Sequence, residues 1–266
     1  MKKRQHTAGL LIGFGLSLSI ACASAASKLP VASSSAGSKV TAASGAIEPG
    51  ATQALERMSA YLMTLPSFEI KAETVRDMVT NDGQKLQVGG VSHYKVHRPD
   101  GFEIDVDTDF MSRRYYFDGK QFTVYAPKLN FYATVGAPPT IRETLNVIRN
   151  KYAIEVPLED LFLWNDSKAK RAEQLKSGYL VGTAMVDGFA TDHYAFREAD
   201  KDWEIWIDKG ERPLPRKLAI TDRSDSAHPS YEAKLTWNVN PTVVATDFKF
   251  KPGPDAKAIH IASLDK

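Results

Sequence analysis

The side chains able to do chemistry in this 266-residue sequence are few and poorly placed for it. Asp105-Val106-Asp107-Thr108-Asp109 opens like a calcium loop, but the sixth position is Phe110 rather than glycine and the twelfth is Tyr116 rather than glutamate. Carboxylates at alternate positions also describe the wet face of a strand, and that reading explains the spacing better. His93 and His97 share a strand face, yet four residues of strand separate them by about 13 Å, too far to share one metal ion. Asp192 and His193 are neighbours on an expected strand, so they point to opposite faces and form no dyad. No nucleophile elbow or phosphate loop follows the first 25 residues. The residues therefore point to no metal site, no cofactor and no catalytic group.

Large apolar side chains are the alternative material. In Trp203-Glu204-Ile205-Trp206-Ile207-Asp208, strand alternation puts Trp203, Ile205 and Ile207 on one face and Trp206 on the other, between two carboxylates. A strand with one wet face does not ordinarily carry tryptophans on both. Phe122, Tyr125, Tyr132 and Trp237 add to the aromatic set. Such residues build either a packed core or an apolar pocket. Leu145, Ile148 and Phe162, on the apolar stripes of expected helices, complete the candidate lining. The basic run Arg212 to Lys217, broken by Pro213 and Pro215, reads as an edge or turn with solvated charge.

The elements that must position these residues are mostly strands. A helix is expected over Thr52–Thr64, where Leu55, Met58 and Leu62 repeat at helical spacing and Pro66 ends the run. Phe68, Ile70 and Ala72 then alternate with charged residues. Turns at Asn81-Asp82-Gly83, Asp118-Gly119 and Asp187-Gly188 mark hairpins. Thr140 with Glu143 makes a capping box for a helix carrying Ile141, Leu145 and Ile148. A second helical piece is expected from Pro157 with Leu158, Leu161 and Phe162, and a third over Ser167–Lys176. The remaining strands run from Leu180 to Val239, with a last one at Phe248–Lys251. About ten or eleven short antiparallel strands with an N-terminal helix and a helical insertion near 140–177 predict an α+β fold, mainly antiparallel β, of barrel or sandwich type.

The N-terminus reads as a secretory leader: Lys2, Lys3 and Arg4, an apolar run from Ala8 to Ile20, then small residues to Ala25. Cleavage is expected within ACASAAS, giving a signal peptide over 1–25. Ser19-Ile20-Ala21-Cys22 also resembles a lipobox, with serine where leucine is usual, so Cys22 is a candidate for lipidation. Cys22 is the only cysteine, which leaves no internal disulfide. Residues 26–50 are rich in Ala and Ser and are expected to be a flexible linker, with a single domain over 51–266. The net charge of +2 becomes −1 without the first 25 residues, which is no footprint for nucleic acid. No segment beyond the leader is apolar for long enough to span a bilayer.

Three blocks of sequence carry a resemblance. His97-Arg98-Pro99-Asp100-Gly101-Phe102, Tyr116-Phe117-Asp118-Gly119-Lys120-Gln121-Phe122-Thr123-Val124-Tyr125 and Phe248-Lys249-Phe250-Lys251-Pro252-Gly253 are similar to the LolA and LolB outer-membrane lipoprotein carriers. Tyr179 to Thr183 and the stretch from Trp203 through Arg212-Pro213-Leu214-Pro215-Arg216-Lys217 look more like a family of predicted periplasmic proteins in the same superfamily, which also includes the RseB N-terminal domain. The resemblance spans about Thr52 to Ile259. It implies a periplasmic, non-catalytic protein with an incomplete (half) β-barrel and helices over the concave face. The hollow would hold a lipid, acyl chain or lipoprotein, with one tryptophan of the 203–208 strand facing it. It also implies that Arg98 contacts the lid, as the arginine of the carriers' Arg-Pro motif bonds lid carbonyls in the closed state. Other roles in reach of the superfamily are an envelope protein partner, as in an RseB-like stress sensor, and an envelope-structural lipoprotein without ligand.

Overall fold

The structure, a computed structural model, describes residues 45–159 and 174–264. Helix α1 (Pro49–Thr64) is followed by six strands: β1 (Ser67–Val79), β2 (Lys85–His97), β3 (Gly101–Thr108), β4 (Ser112–Phe117), β5 (Gln121–Ala126) and β6 (Phe131–Gly136). Helix α2 (Ile141–Tyr152) comes next. Five more strands follow: β7 (Ser177–Val186), β8 (Phe189–Arg197), β9 (Lys201–Asp208), β10 (Pro215–Asp222) and β11 (Ser230–Asn238). A two-residue strand, β12 (Lys257–Ala258), closes the list. All twelve strands form one open sheet in the order β12-β6-β5-β4-β3-β2-β1-β11-β10-β9-β8-β7. It consists of two antiparallel meanders that meet where β1 pairs with β11, with β12 added in parallel on β6. An open antiparallel sheet with helices across one face is an incomplete barrel.

Local chemistry explains the elements. Pro49 occupies the first turn of α1, where its missing N–H is not needed, and Pro66 prevents continuation beyond Thr64. Thr140 caps α2 by accepting from the Glu143 N–H while its hydroxyl donates to the Glu143 carboxylate at 2.8 Å. Asp187 and Gly188 both have positive φ, 47° and 85°, the geometry of a tight hairpin turn with the hand of the sheet twist. At the earlier Asp118-Gly119 turn, where Gly119 alone of the pair has positive φ, Asp118 Oδ1 accepts from the N–H groups of Lys120 and Gln121.

Alternation along the strands sorts side chains onto two faces. Phe68, Ile70 and Ala72 of β1, Tyr94 and Val96 of β2, Phe102, Ile104 and Val106 of β3, and Tyr115 and Phe117 of β4 are buried together with Trp203, Ile205 and Ile207 of β9. Ala54, Leu55, Met58 and Leu62 of α1 and Ile141, Leu145 and Ile148 of α2 lie in the same core. This is the inner, helix-covered face. The outer face carries charged ladders such as Lys71–Glu73 and Lys217–Glu232.

Three expectations change. Phe248–Lys251 is not a strand; a 3₁₀ turn over Ala245–Phe248 leads into an extended segment. The Phe248 ring seats directly on Gly101, and Phe250 reaches the outer face, so the aromatic pair anchors by packing and not by a ladder. Leu158 has φ 56°, so no helix runs on from Pro157 through it. The basic run is not uniformly solvated: Arg216 is buried, donates to both Asp208 oxygens at 2.6–2.9 Å and lies 3.5 Å from the Phe189 ring centroid. The pairing register shifts between Pro215 and Lys217, so strict alternation fails there. Glu48 N–H donates to Gly178 O and Gly178 N–H to Ala46 O, which binds residues 46–48 to the start of β7. Cys22, Phe162, the leader, residues 26–44 and the greater part of the third helical piece lie outside the described residues.

Candidate functional site: the helix-covered face of the sheet

The register shows which candidate residues share the inner face. Ile70 aligns with Trp237, and Phe117 with Phe122, so Trp237 and Phe122 face inward. Phe122 is fully buried against Phe102 and Tyr115, with ring centroids 6.3 and 6.2 Å away. Leu145 and Ile148 of α2 are buried in the same core. Trp203 lies several strands away, stacked on Phe196 at 4.2 Å, and its indole N–H donates to Glu198 Oε1 at 2.9 Å. Glu198 is itself buried and takes Lys201 at 3.2 Å, so the tryptophan's polar atom ends in a paired carboxylate. Trp237 is half-buried. Its ring lies 5.5 Å from Phe68 and its N–H donates to Pro215 O at 2.8 Å.

Three candidates lie on the other face. Trp206 stacks flat on His193, centroids 3.9 Å apart, with the Lys217 ammonium 4.8 Å from its ring. His193 Nε2 in turn meets Glu204 at 2.7 Å. The second tryptophan of the strand is thus covered by a cation and a stacked imidazole, which reconciles it with an outer face. Tyr125 and Tyr132 are also outside. Together with Tyr116 they hold the Phe250 ring, with centroids 5.0–5.4 Å from it. The spacing of aromatic residues could not separate these three from the inner set, because the tail that covers the tyrosines arrives from more than 110 residues downstream.

Arg98 occupies the junction between the helices. Its N–H donates to Pro66 O, just past α1, and the carbonyl of the following Pro99 accepts from Ile141 N–H at the start of α2. Its guanidinium carbon lies 5.6 Å from the Phe68 ring centroid. The backbone of 98–99 thus bonds to the chain at both helix ends. A second tie comes from Tyr94, whose hydroxyl donates to Pro157 O at 3.1 Å, beyond α2; burial raises its pKa.

The outer face holds a polar groove of about 420 Å³ lined in part by Lys71, His93, Lys95, Glu103 and Asp105. Burial first, then the neighbouring Asp105 charge, holds the Glu103 carboxyl above its ordinary value. Burial and Glu103 push the Tyr116 phenol up to about 12. Asp105 and Asp107 both face Arg114, and Asp109 accepts from the Gly89 N–H at 3.0 Å. The alternate carboxylates are thus engaged by a cross-strand arginine and a backbone donor.

The inner face extends beyond the buried core. Leu218, Ile220, Tyr231 and Val124 are only partly buried, and Met78 and Leu86, paired across β1 and β2, are 38% and 43% exposed. Two arginines interrupt this surface. Arg113 aligns with Val106, and Arg76 continues the inner series of β1 after Ala72 and Thr74. Neither was among the sequence candidates. Continuing the Phe68-Ile70-Ala72 alternation by two more steps was the signal that would have found Arg76.

The sequence matches the DUF2092 family of predicted periplasmic proteins over residues 51–262. The chain belongs to this family. The DUF2092 protein is periplasmic, and no helix among its described residues is long and apolar enough to cross a membrane. No curated protein matches it. Among solved structures, LprF from Mycobacterium bovis is similar at 12% identity, with a TM-score of 0.46 over 75% of this chain and 98% of that one. Lipoprotein LppX from Mycobacterium tuberculosis is similar at 13% identity, with a TM-score of 0.41 over 74% of this chain and 100% of that one. A LolA superfamily protein from Nitrosomonas europaea is similar at 10% identity, with a TM-score of 0.35 over 75% of this chain and 97% of that one. These are likenesses of chain path alone.

Proposed function

We propose that this DUF2092 protein is a non-catalytic binding protein that holds an acyl chain, or an apolar ligand of similar shape, against the inner face of its half-barrel. One observation carries the reading. The inner face continues as an apolar surface past the part that α1 and α2 bury: Leu218, Ile220, Tyr231 and Trp237 stay half-buried, and Met78 and Leu86 stay exposed. Soluble proteins seldom leave such a continuous apolar strip without a use. Affinity would come from buried methylenes at about 0.8 kcal/mol each. Arg98 and Pro99, bonded to both helix ends, are the hinge about which the cover would move. In this reading Trp237 and α2 line the site, whereas Phe122 and Trp203 build its floor.

The test is native mass spectrometry of the mature protein, purified from the envelope without detergent and then extracted with organic solvent. A discrete added mass that extracts as lipid is the expected result. A clean unliganded mass, with no later uptake of a fluorescent fatty acid, sinks the reading and leaves a protein partner or a purely structural role.

A further inference from the structure

The apolar strip has a polar end. On β1 the inner series after Ala72 is Thr74, Arg76 and Met78. The register places Arg76 between Val88 on β2 and Tyr231 on β11, and Tyr231 beside Ile220 on β10. Met78 and Leu86 form the next row toward the hairpin tip. Phe110 covers the guanidinium from one side, 5.8 Å from its central carbon to the ring centroid.

Arg76 forms no ion pair among the described residues; its one polar contact is Nη2 to the Met78 sulfur at 3.8 Å. Asp222, on the same face of β10, accepts from Ser224 instead. Tyr231 complements it. The Tyr231 hydroxyl is buried and has no hydrogen-bond partner among the described residues, a condition that native structures rarely leave unexplained. Burial pushes this phenol up to about 12, with the Arg76 charge acting in the opposite direction, so the two groups feel each other. A guanidinium fork and a phenolic O–H therefore stand side by side, both donors, neither with an oxygen acceptor among the described residues, beside Met78, Leu86, Val88, Phe110 and Ile220.

We propose that Arg76 and Tyr231 receive the carboxylate of a single-chain amphiphile, a long-chain fatty acid, whose tail lies along the inner face toward Leu218 and Trp237. The inference rests on the binding reading above and supplies its ligand class. The chemistry fits a monoanion. The planar fork of arginine matches a carboxylate through two parallel N–H donors, and the tyrosine adds a third. One positive charge balances one negative charge. A phosphate monoester would bring a second negative charge into apolar surroundings with nothing to neutralise it.

The experiment compares laurate, dodecanol and dodecyl phosphate as competitors of a bound fluorescent fatty acid, on the wild type and on Arg76→Gln and Tyr231→Phe. Laurate is expected to bind about tenfold or more tighter than dodecanol, the ratio that one charge-assisted hydrogen bond supplies. Arg76→Gln should erase that ratio, and Tyr231→Phe should reduce it several-fold. Arg76 is exposed, so its variant should fold, and Arg76→Lys keeps the charge without the fork as a second variant. Equal binding of laurate and dodecanol, or a ratio that survives Arg76→Gln, overturns the headgroup site while the apolar site stands. Dodecyl phosphate binding tighter than laurate overturns the carboxylate assignment. Uptake of none of the three overturns the binding function itself.

Discussion

Gly101 gives the sharpest test of the packing. A Cβ there would lie 2.5, 2.8 and 3.0 Å from Cδ2, Cε2 and Cγ of Phe248. Carbon atoms rest at about 3.5–4.0 Å, so Gly101→Ala forces the ring back by about 1 Å. Phe248 is 4% exposed, and a phenylalanine side chain gains about 1.5–3 kcal/mol from full burial. The alanine recovers about 0.4–1 kcal/mol by stiffening the unfolded chain. The net expected cost is about 1–2 kcal/mol. Phe248→Ala alone should cost about 3–5 kcal/mol. In the double variant the clash is gone, so Gly101→Ala should add nothing to Phe248→Ala, or return a few tenths of a kcal/mol. Urea unfolding followed by tryptophan fluorescence measures all four corners of the cycle, provided the m-values agree. Additive costs, or a Gly101→Ala variant as stable as the wild type, would refute the seating of Phe248 on Gly101 and with it the account of how the C-terminal segment is anchored.

The same packing fixes other outcomes. Leu145→Ala should cost about 2–5 kcal/mol in urea unfolding, because this α2 side chain is fully buried in the core. Asp208→Ala should cost about 3–5 kcal/mol, because it strands the buried Arg216 charge, whereas Glu73→Ala, at the exposed Lys71 pair, should be near neutral. Glu103 is held above its ordinary value of 4.5 by burial and Asp105. The folded state therefore keeps this proton to higher pH than the unfolded state, and the group's contribution to stability declines as pH rises from 4.5 through the raised folded value. Glu103→Gln should accordingly be more stable than wild type at pH 7 and indistinguishable from it near pH 3, as read by thermal melts at the two pH values. Phe250→Ala should leave the three tyrosines it covers open to solvent, seen as increased reactivity of Tyr116, Tyr125 and Tyr132 toward a tyrosine-specific reagent.

The sequence by itself determined what is local. Caps and turns placed α2 and three hairpins, because Thr140 with Glu143, and Asp-Gly pairs, act within four residues of chain. Alternation assigned Trp203, Ile205 and Ile207 to one face and Trp206 to the other, because strand geometry is fixed by the backbone. It could not say which face was the inner one. That was decided by Trp203 joining the core that α1 and α2 share and stacking on Phe196, and by His193 and Lys217 closing over Trp206. Tyr125 and Tyr132 read as either packed or pocket residues because an aromatic side chain suits both; in the fold Phe250 packs against them from the outer face. Arg76 and Tyr231 are 155 positions apart and become neighbours only when the second meander returns its last strand to the first. No periodicity in one segment carries that information, since register between distant strands is set by the whole sheet and the core it must cover.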